Sequence, residues 1–509
     1  MAVPMGDGDT TSGAGHAGAR GACGGRFGRW ARAAFALDVR SLAAYRVALG
    51  CILCADCILR ARDFALMFAV DGMFPPDAMR RSIADPSVWS LAFLVDADWW
   101  NAVVLALEGV AGAALMAGVA TPVATIAAWA VVWSVIRRAG PAASGGDVWL
   151  ACQLFWAMFI PLGTTWSWDA RRRGAAAPPE RGVALSVATA ALVLQLVTIY
   201  VSAGAAKCNA SWLSGNAVAH ALSVHDHGTA LGMALASSGL VGDPAAWAVV
   251  ALEIGAPLLL LAWPTPRVRG VLVAVFFGFH VLIGLTMTVG LFVPIGIAAW
   301  LPLVPSRAWD RGRDCVDPPV VLRLWRPAAW VCGTALALAA ASLVAFRCGI
   351  GPLPRAMVVA LNVCGIHQDW RMFGFVPDEE QWVYARAELV DGRVVDLLRG
   401  GRPCGDSRPE GGFTSLNDNR WHNICWCLGW PAQRAVAPTV AAGLARHWNA
   451  LHGPGEQVRT VEIRHARQRV GPADEIEREH LIASWPPRDA AGSGNLERLL
   501  EATGGDEPP

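Results

Sequence analysis

Apolar runs of bilayer length set the class of this fold. The stretch "VALSVATAALVLQLVTIYVSAGAA" (183–206) carries no charged residue. A helix of about 20 apolar residues spans a hydrocarbon core. Inside that core every backbone amide must be paired within the protein, which restricts spanning segments to helices and closed barrels. Nine candidate spans are read, at 41–60, 101–118, 122–137, 147–163, 183–206, 245–263, 270–287, 289–304 and 327–346. The chain is 54% hydrophobic and 16% charged, which suits an α-helical polytopic membrane protein whose partner is the lipid bilayer. A net charge of +1 gives no reason to expect a nucleic acid. The Gly-rich opening "MGDGDTTSGAGHAGARGACGG" has neither the basic start nor the apolar core of a secretion signal.

Composition along the chain divides it. Residues 1–37 read as a disordered tail and 38–350 as the helical membrane domain. Residues 351–485 read as an extramembrane α+β domain containing a β-sheet, and 486–509 as a second disordered tail. In the third segment, "QWVYARAELVDGRVVDLL" alternates apolar and polar residues around Asp391-Gly392, a hairpin signal. "VRTVEIRHARQRV" reads as a further strand, and "TVAAGLARHWNALHG" as an amphipathic helix stopped by Gly453. Pro122 stands where the third span begins, a position at which its missing N–H costs little.

Arginine bias in the loops orients the spans. Arg26, Arg29, Arg32 and Arg40 place the N-terminus in the cytoplasm. Alternation then puts Arg171–Arg173, Arg267, Arg269, Arg307, Arg311 and Arg313 on the same side. Loop 61–100 and the Arg137-Arg138 pair dissent, although six aspartates accompany the arginines of that loop. The end of the fifth span and the whole C-terminal domain then face the exoplasm. The expected location is a bacterial inner or plasma membrane.

Thirteen cysteines do not make a disulfide scaffold here, because most lie in apolar helices, where thiols pack as small hydrophobes. "CILCADC" (Cys51, Cys54, Cys57) resembles part of an iron–sulfur run but sits within a span with no fourth ligand. "VHDHG" (His225, Asp226, His227), with His220 before it, has no second ligand set. No metal is expected. An oxidising exoplasm would permit one bridge among Cys404, Cys425 and Cys427.

Ionisable groups within spans are expensive and need partners. They are Arg46 and Asp56 in span one, Glu108 in span two, Asp147 opening span four, Glu253 in span six and His280 in span seven. Arg46 and Asp56 are about 15 Å apart along one helix, so each needs a partner elsewhere. Lys207, in "YVSAGAAKCNASW", is the only lysine of the chain; every other Lys-or-Arg position is arginine. A lysine at a helix end can snorkel to the headgroups. Held against an apolar wall instead, it supplies a neutral amine for proton abstraction, which arginine cannot do.

The strings "SLAAYRVALGCILCADCI", "DGMFPP", "GGDVWLACQLFWAMFIPLGTTWSWD", "YVSAGAAKCNASWLSGNAVAHAL", "ALEIGAPLLLL", "FHVLIGLTMTVGLFVPIGIAAWLPLVP", "HQDWRMFGFVP" and "LNDNRWHN" follow in order along a resemblance that covers roughly residues 38–470. This ordered set resembles the horizontally transferred transmembrane (HTTM) domain family, the bacterial relatives of vitamin K-dependent gamma-carboxylase. The resemblance implies a catalytic base at Lys207, within a pattern matched by Tyr200, Ala203, Gly204, Trp212 and Gly215. His280 matches a family histidine, and Asp147 stands where the animal enzyme has a histidine. The family's cofactor is a reduced quinone, vitamin K-like; a bacterial membrane would offer menaquinol or ubiquinol, with Trp212, Tyr200 and Glu253 facing it. The implied substrate is a glutamyl side chain of a peptide or protein, and the implied reaction is its carboxylation. The C-terminal domain, with Gln368, Trp370 and Phe373 near the membrane, would cover the cavity or present a peptide. Two other readings stand beside the enzyme. One is a non-enzymatic factor for peptide maturation or export. The other is a transporter, against which stands the lack of an inverted repeat.

Overall fold

A computed structural model describes residues 25–83, 85–174, 182–223, 227–310, 319–320, 326–347, 353–366, 370–374, 379–404, 419–469 and 478–487. The helices that matter for the site are α1 (Arg26–Phe35), α2 (Val39–Arg62), α3 (Asp98–Ala117), α4 (Thr121–Arg138), α5 (Gly145–Ala157) and α6 (Trp168–Arg173). They continue as α7 (Val187–Ala206), α8 (Asp243–Ala262), α9 (Pro266–Thr286), α10 (Phe292–Trp300), α11 (Arg326–Arg347) and α12 (Arg355–Cys364). The C-terminal region adds α13 (Asn419–Gly429) and α14 (Ala437–Leu451).

Five of these, α2, α3, α7, α8 and α9, are long and apolar enough to cross a membrane. Helices stand at the other four expected positions as well, but among the described residues only the five combine the length and the hydropathy of a span, so the count of nine is not confirmed. Helix α5 has 13 residues and α10 has 9, which reach roughly 20 Å and 14 Å at 1.5 Å per residue. Apolar side chains of α8 and α9, such as Leu258, Leu282 and Leu285, point outward, as a lipid solvent requires.

Local chemistry sets the helix ends. Asp38 caps α2 by accepting the Arg40 amide at 2.7 Å. Ser144 with Asp147, and Ser186 with Thr189, form reciprocal capping boxes that start α5 and α7. Gly118 ends α3 in the left-handed region at φ 67°, and Pro122 opens α4 as expected. Helices α2 and α3 cross closely because both present glycine. A Cβ on Gly50 would lie 2.6 Å from the Gly112 carbonyl oxygen.

The expected disordered tail 1–37 is corrected at its end, since Arg26–Phe35 forms α1. That helix is amphipathic, with Ala34 and Phe35 buried and the arginines outward, and burial of an apolar stripe is what holds such a segment to the body. The tail 486–509 lies almost wholly outside the described residues.

The C-terminal region contains a five-stranded antiparallel sheet. Its strands are β1 (Glu379–Leu389), β2 (Val394–Asp396), β3 (Arg402–Pro403), β4 (Val458–Arg469) and β5 (Arg478–Trp485), in the order β3-β2-β1-β4-β5. The hairpin at Asp391-Gly392 joins β1 to β2, with Gly392 at φ 85°. Helices α13 and α14 cover one face. Cys425 belongs to that covered core, whereas Cys404 packs with Trp382 and Tyr384 on the opposite face. The sheet therefore separates these two thiols.

The domain is not a free appendage. Its core is continuous with Met67, Met73, Phe74, Val131 and Val135 of the helical body. Gly443 of α14 lies so close to the Met73 backbone that a Cβ there would approach to 2.6 Å. Helix α12 also packs on the body; the Trp89 indole donates to the Val363 carbonyl at 3.0 Å.

Candidate functional site

The C-terminal end of α7 reaches the C-terminal domain and presents Lys207 as its cap residue. Gly204, one turn earlier, lets α8 come close: a Cβ there would meet Ile254 at 2.6 Å and the Glu253 Cβ at 3.1 Å. Glu253 is thereby brought beside Lys207. The Lys207 Nζ donates to Glu253 Oε2 at 2.8 Å and to the Met372 carbonyl at 2.8 Å, with a longer contact to the Ala203 carbonyl at 3.4 Å. Lys207 is only 2% exposed. It does not snorkel. Its Nζ also lies 5.3 Å from the centre of the Trp212 ring, within cation–π range. Pro257, one turn beyond Glu253 in α8, has no amide to donate to the Glu253 carbonyl.

A short strap from the C-terminal region covers this amine. Three successive strap carbonyls are captured by three side chains of "KCNASW". Met372 is held by Lys207, Phe373 by the Trp212 indole at 2.8 Å, and Gly374 by the Asn209 amide at 2.6 Å. Phe373 sits at φ 52°, which a non-glycine residue adopts only when its surroundings hold it there. The Met372 side chain also comes within van der Waals reach of Gly145, at the start of α5.

About two turns deeper on α7, roughly 10 Å along the axis, Tyr200 forms a second polar centre. Its hydroxyl accepts the Trp300 indole N–H at 2.9 Å and lies 2.6 Å from His280 Nε2. With one hydroxyl hydrogen to give, Tyr200 donates it to Nε2, so the His280 proton is assigned to Nδ1. That Nδ1 is buried without a partner in the structure. The rings of Trp149, Phe279 and Phe292 surround His280. A Cβ on Gly296 would lie 2.2 Å from the imidazole. Gly296→Ala is therefore expected to destabilise the fold by about 1–3 kcal/mol through overpacking. Thermal unfolding in detergent would check this, and an unchanged midpoint would contradict it.

Asp147 does not join either centre. It accepts from Ser144 in its capping box and from Arg60 at 2.6 Å. The partner that the lysine finds is Glu253 instead. Arg60 also reaches Asp56 at 2.9 Å, and Asp56 in turn accepts from Arg420 of α13. Glu108 faces Asp56 from α3. The expectation that Asp56 needs a partner on another helix is thus met by Arg420 of the C-terminal domain. Arg46 donates through its two terminal nitrogens to the carbonyls of Leu115, Met116 and Trp166. Cys54 and Cys57 lean on the carbonyls of Gly109 and Leu105.

Near the strap, the rings of His227 and His422 lie 4.2 Å apart at the junction between α13 and the helical body. His225, Asp226 and Gln368 lie outside the described residues. Burial pushes His227 down to about 4 and His422 also well below the ordinary histidine range. A histidine whose folded-state pKa is lowered stabilises the fold above its unfolded value near 6.5, and loses that contribution as pH falls toward 4. Acidification across this window is expected to loosen the C-terminal domain. Protease sensitivity measured between pH 7 and 4.5 should rise, and should rise less in His227→Gln/His422→Gln.

Of the residues anticipated from sequence, Lys207, Trp212 and Glu253 come together, Tyr200 meets His280, and Asp147 stands apart. The strap carbonyls, Arg60 and Trp300 were not anticipated. A backbone acceptor leaves no mark on residue type, although "HQDWRMFGFVP" had marked the segment.

Residues 147–309 match the family model described as the HTTM domain. The match contains Tyr200, Lys207, Trp212, Glu253 and His280. Together with the five apolar helices it makes this an integral membrane protein. No curated protein and no solved structure matches the chain.

Proposed function

We propose that this HTTM-domain membrane protein is an enzyme in which Lys207 acts as a base toward a reduced quinone. The observation that carries the reading is the buried pair of Lys207 and Glu253 beneath Trp212. One labile proton is shared there. On Lys207 it makes an ion pair; on Glu253 it leaves a neutral amine able to accept a proton. The strap keeps water away from that amine, which strengthens every electrostatic interaction inside.

The residues suit a group that is mostly apolar with a few polar atoms. An apolar groove of about 450 Å³ lies against α8, lined by Leu213, Trp247, Val250, Ala251, Ile254 and Gly255. Ile254 of this groove packs on Gly204, one turn before Lys207. The unpartnered His280 Nδ1 offers a polar contact deeper in the body. A bound menaquinol or ubiquinol would supply reducing power toward oxygen; with the shared proton on Glu253, the neutral Lys207 amine would be free to take a hydroxyl proton. Carboxylation of a peptide glutamate is the reaction implied by resemblance to gamma-carboxylase. The arginine-rich end is assigned to the cytoplasm, and Lys207 with the C-terminal domain to the exoplasm.

A second reading is favoured by one observation. Three acceptors surround Nζ, as many as an ammonium has protons. Lys207 would then be a latch that holds the C-terminal domain, in a non-enzymatic factor for peptide maturation or export.

Because the chain has one lysine, amine-selective labelling with mass-spectrometric readout separates the two. The rate at Lys207 is followed against pH, with Asn209→Ala/Trp212→Phe used to loosen the strap. The enzyme reading expects labelling in that variant to rise about tenfold and to titrate well below the free-lysine value of about 10.4. It also expects quinol-dependent CO2 incorporation that Lys207→Arg abolishes. Labelling that titrates near 10.4 in both forms, with no incorporation, would leave only the latch.

A further inference from the structure

We propose that Glu108 and Asp56 form a proton-binding site inside the helical body, where a single proton is held between two carboxyl groups at the joint with the C-terminal domain. It stands whether or not Lys207 is a base.

Glu108 lies midway along α3, where α3 is pressed against α2. Two glycines of α3 make the approach possible. A Cβ on Gly109 would meet the Cys57 Sγ at 3.1 Å, and one on Gly112 would lie 2.9 Å from the Gly50 carbonyl oxygen. The thiols of Cys57 and Cys54 donate to the carbonyls of Leu105 and Gly109, which flank Glu108 on its own helix. With the two helices joined on both sides of it, the Glu108 carboxyl is turned onto α2 and faces Asp56 within hydrogen-bonding reach. Both side chains are enclosed, Glu108 at 0% and Asp56 at 1% exposure.

Asp56 is bonded to Arg60 and Arg420, and Arg60 continues to Asp147. Two carboxylates thus meet two guanidinium groups. Glu108 is a third carboxyl, and among the described residues no N–H or O–H donates to either of its oxygens. Helix α4, which also packs on α3, spends its two arginines elsewhere. Arg137 stacks on the Trp133 ring, and Arg138 is taken by the carbonyls of Phe68, Ala69 and Phe74. A carboxylate enclosed beside another carboxylate, without a donor of its own, is strongly disfavoured. Two carboxyl oxygens bond to one another only through a proton. With that proton in place Glu108 donates to Asp56, and the charges of Asp56, Asp147, Arg60 and Arg420 cancel. Asp56 is also the group on which α13 docks through Arg420. Proton and domain therefore meet on one carboxylate, and loss of the proton would set a second negative charge at the root of that tie.

Infrared difference spectroscopy of the full chain in nanodiscs tests the site. At neutral pH, where exposed acids are ionised, the wild type should show the C=O stretch of a protonated carboxyl, shifted when the sample is prepared in D2O. Glu108→Gln should remove this band. Glu253→Gln should leave it, which separates the site from the Lys207 pair. Glu108→Gln keeps an N–H donor toward Asp56, so it is expected to fold. A second readout is stability against pH. The unfolded chain releases the Glu108 proton above an ordinary value of about 4.3, and the folded chain keeps it. The wild-type folding equilibrium therefore loses up to about tenfold per pH unit relative to Glu108→Gln. The unfolding midpoint of the variant should gain on that of the wild type as pH is raised from mildly acid to mildly alkaline. Identical spectra for wild type and Glu108→Gln, loss of the band in Glu253→Gln alone, or midpoints that run parallel with pH would overturn the assignment. Glu108 would then be ionised and answered by Arg60 Nη1, which also lacks a partner in the structure.

Discussion

Asp56→Ala is expected to cost about 3–5 kcal/mol and to release the C-terminal domain from the helical body. Asp56 accepts from Arg60 on its own helix and from Arg420 of α13, and it is 1% exposed. Arginine cannot shed its charge to escape burial. Removing Asp56 therefore leaves Arg60 with Asp147 and takes from Arg420 its tie to α2. The result should appear as a lowered unfolding midpoint in detergent and as early proteolysis between the last membrane helix and the sheet. Asp56→Asn keeps the shape and a hydrogen-bond acceptor, so it should fall between wild type and alanine. Identical midpoints for all three would mean that the continuous apolar core around Met73 and Leu444 carries the docking alone.

Lys207→Met and Glu253→Leu are each expected to destabilise the protein by about 3 kcal/mol, and the double variant by clearly less than their sum. Each single change leaves one ionisable group buried without its counter-charge; the double change leaves an apolar contact of similar volume. Thermal unfolding around this cycle measures the coupling, and strict additivity would show that the 2.8 Å pair is not energetically joined. The same cycle sorts the two functional readings. A latch tolerates the double variant, because the strap is still held by Asn209 and Trp212. A base does not, and activity should vanish in every variant that lacks Lys207.

Much of this molecule was open to reading in the chain. Apolar length and capping chemistry are local properties, so the helical body and the strand–turn–strand at Asp391-Gly392 follow from residues near one another. Arginine asymmetry marked one end of the body in the same way. The lone Lys207 singled itself out in a chain otherwise committed to arginine, but whether it snorkels or is buried was left for the fold to decide. Span number was less legible. Hydropathy measures polarity rather than length, and α5 and α10 are apolar because they are buried in protein as much as because they face lipid.

Partner choice belonged to the tertiary structure. Asp147 and Glu253 are both carboxylates in apolar surroundings, and nothing local tells which will reach the lysine. Gly204 decided it, because the missing side chain lets α8 approach α7 and bring Glu253 within 2.8 Å of Nζ. Arg60 claimed Asp147 for the same kind of reason, by position in a helix crossing. The strap was beyond sequence reading altogether, since its contribution is three backbone carbonyls that every residue type possesses. The sequence by itself determined the membrane class and the helical body, and singled out one amine. Only packing across residues far apart in the chain decided which charges meet and what covers them, because a hydrogen bond depends on ångström-scale placement that composition and periodicity do not encode.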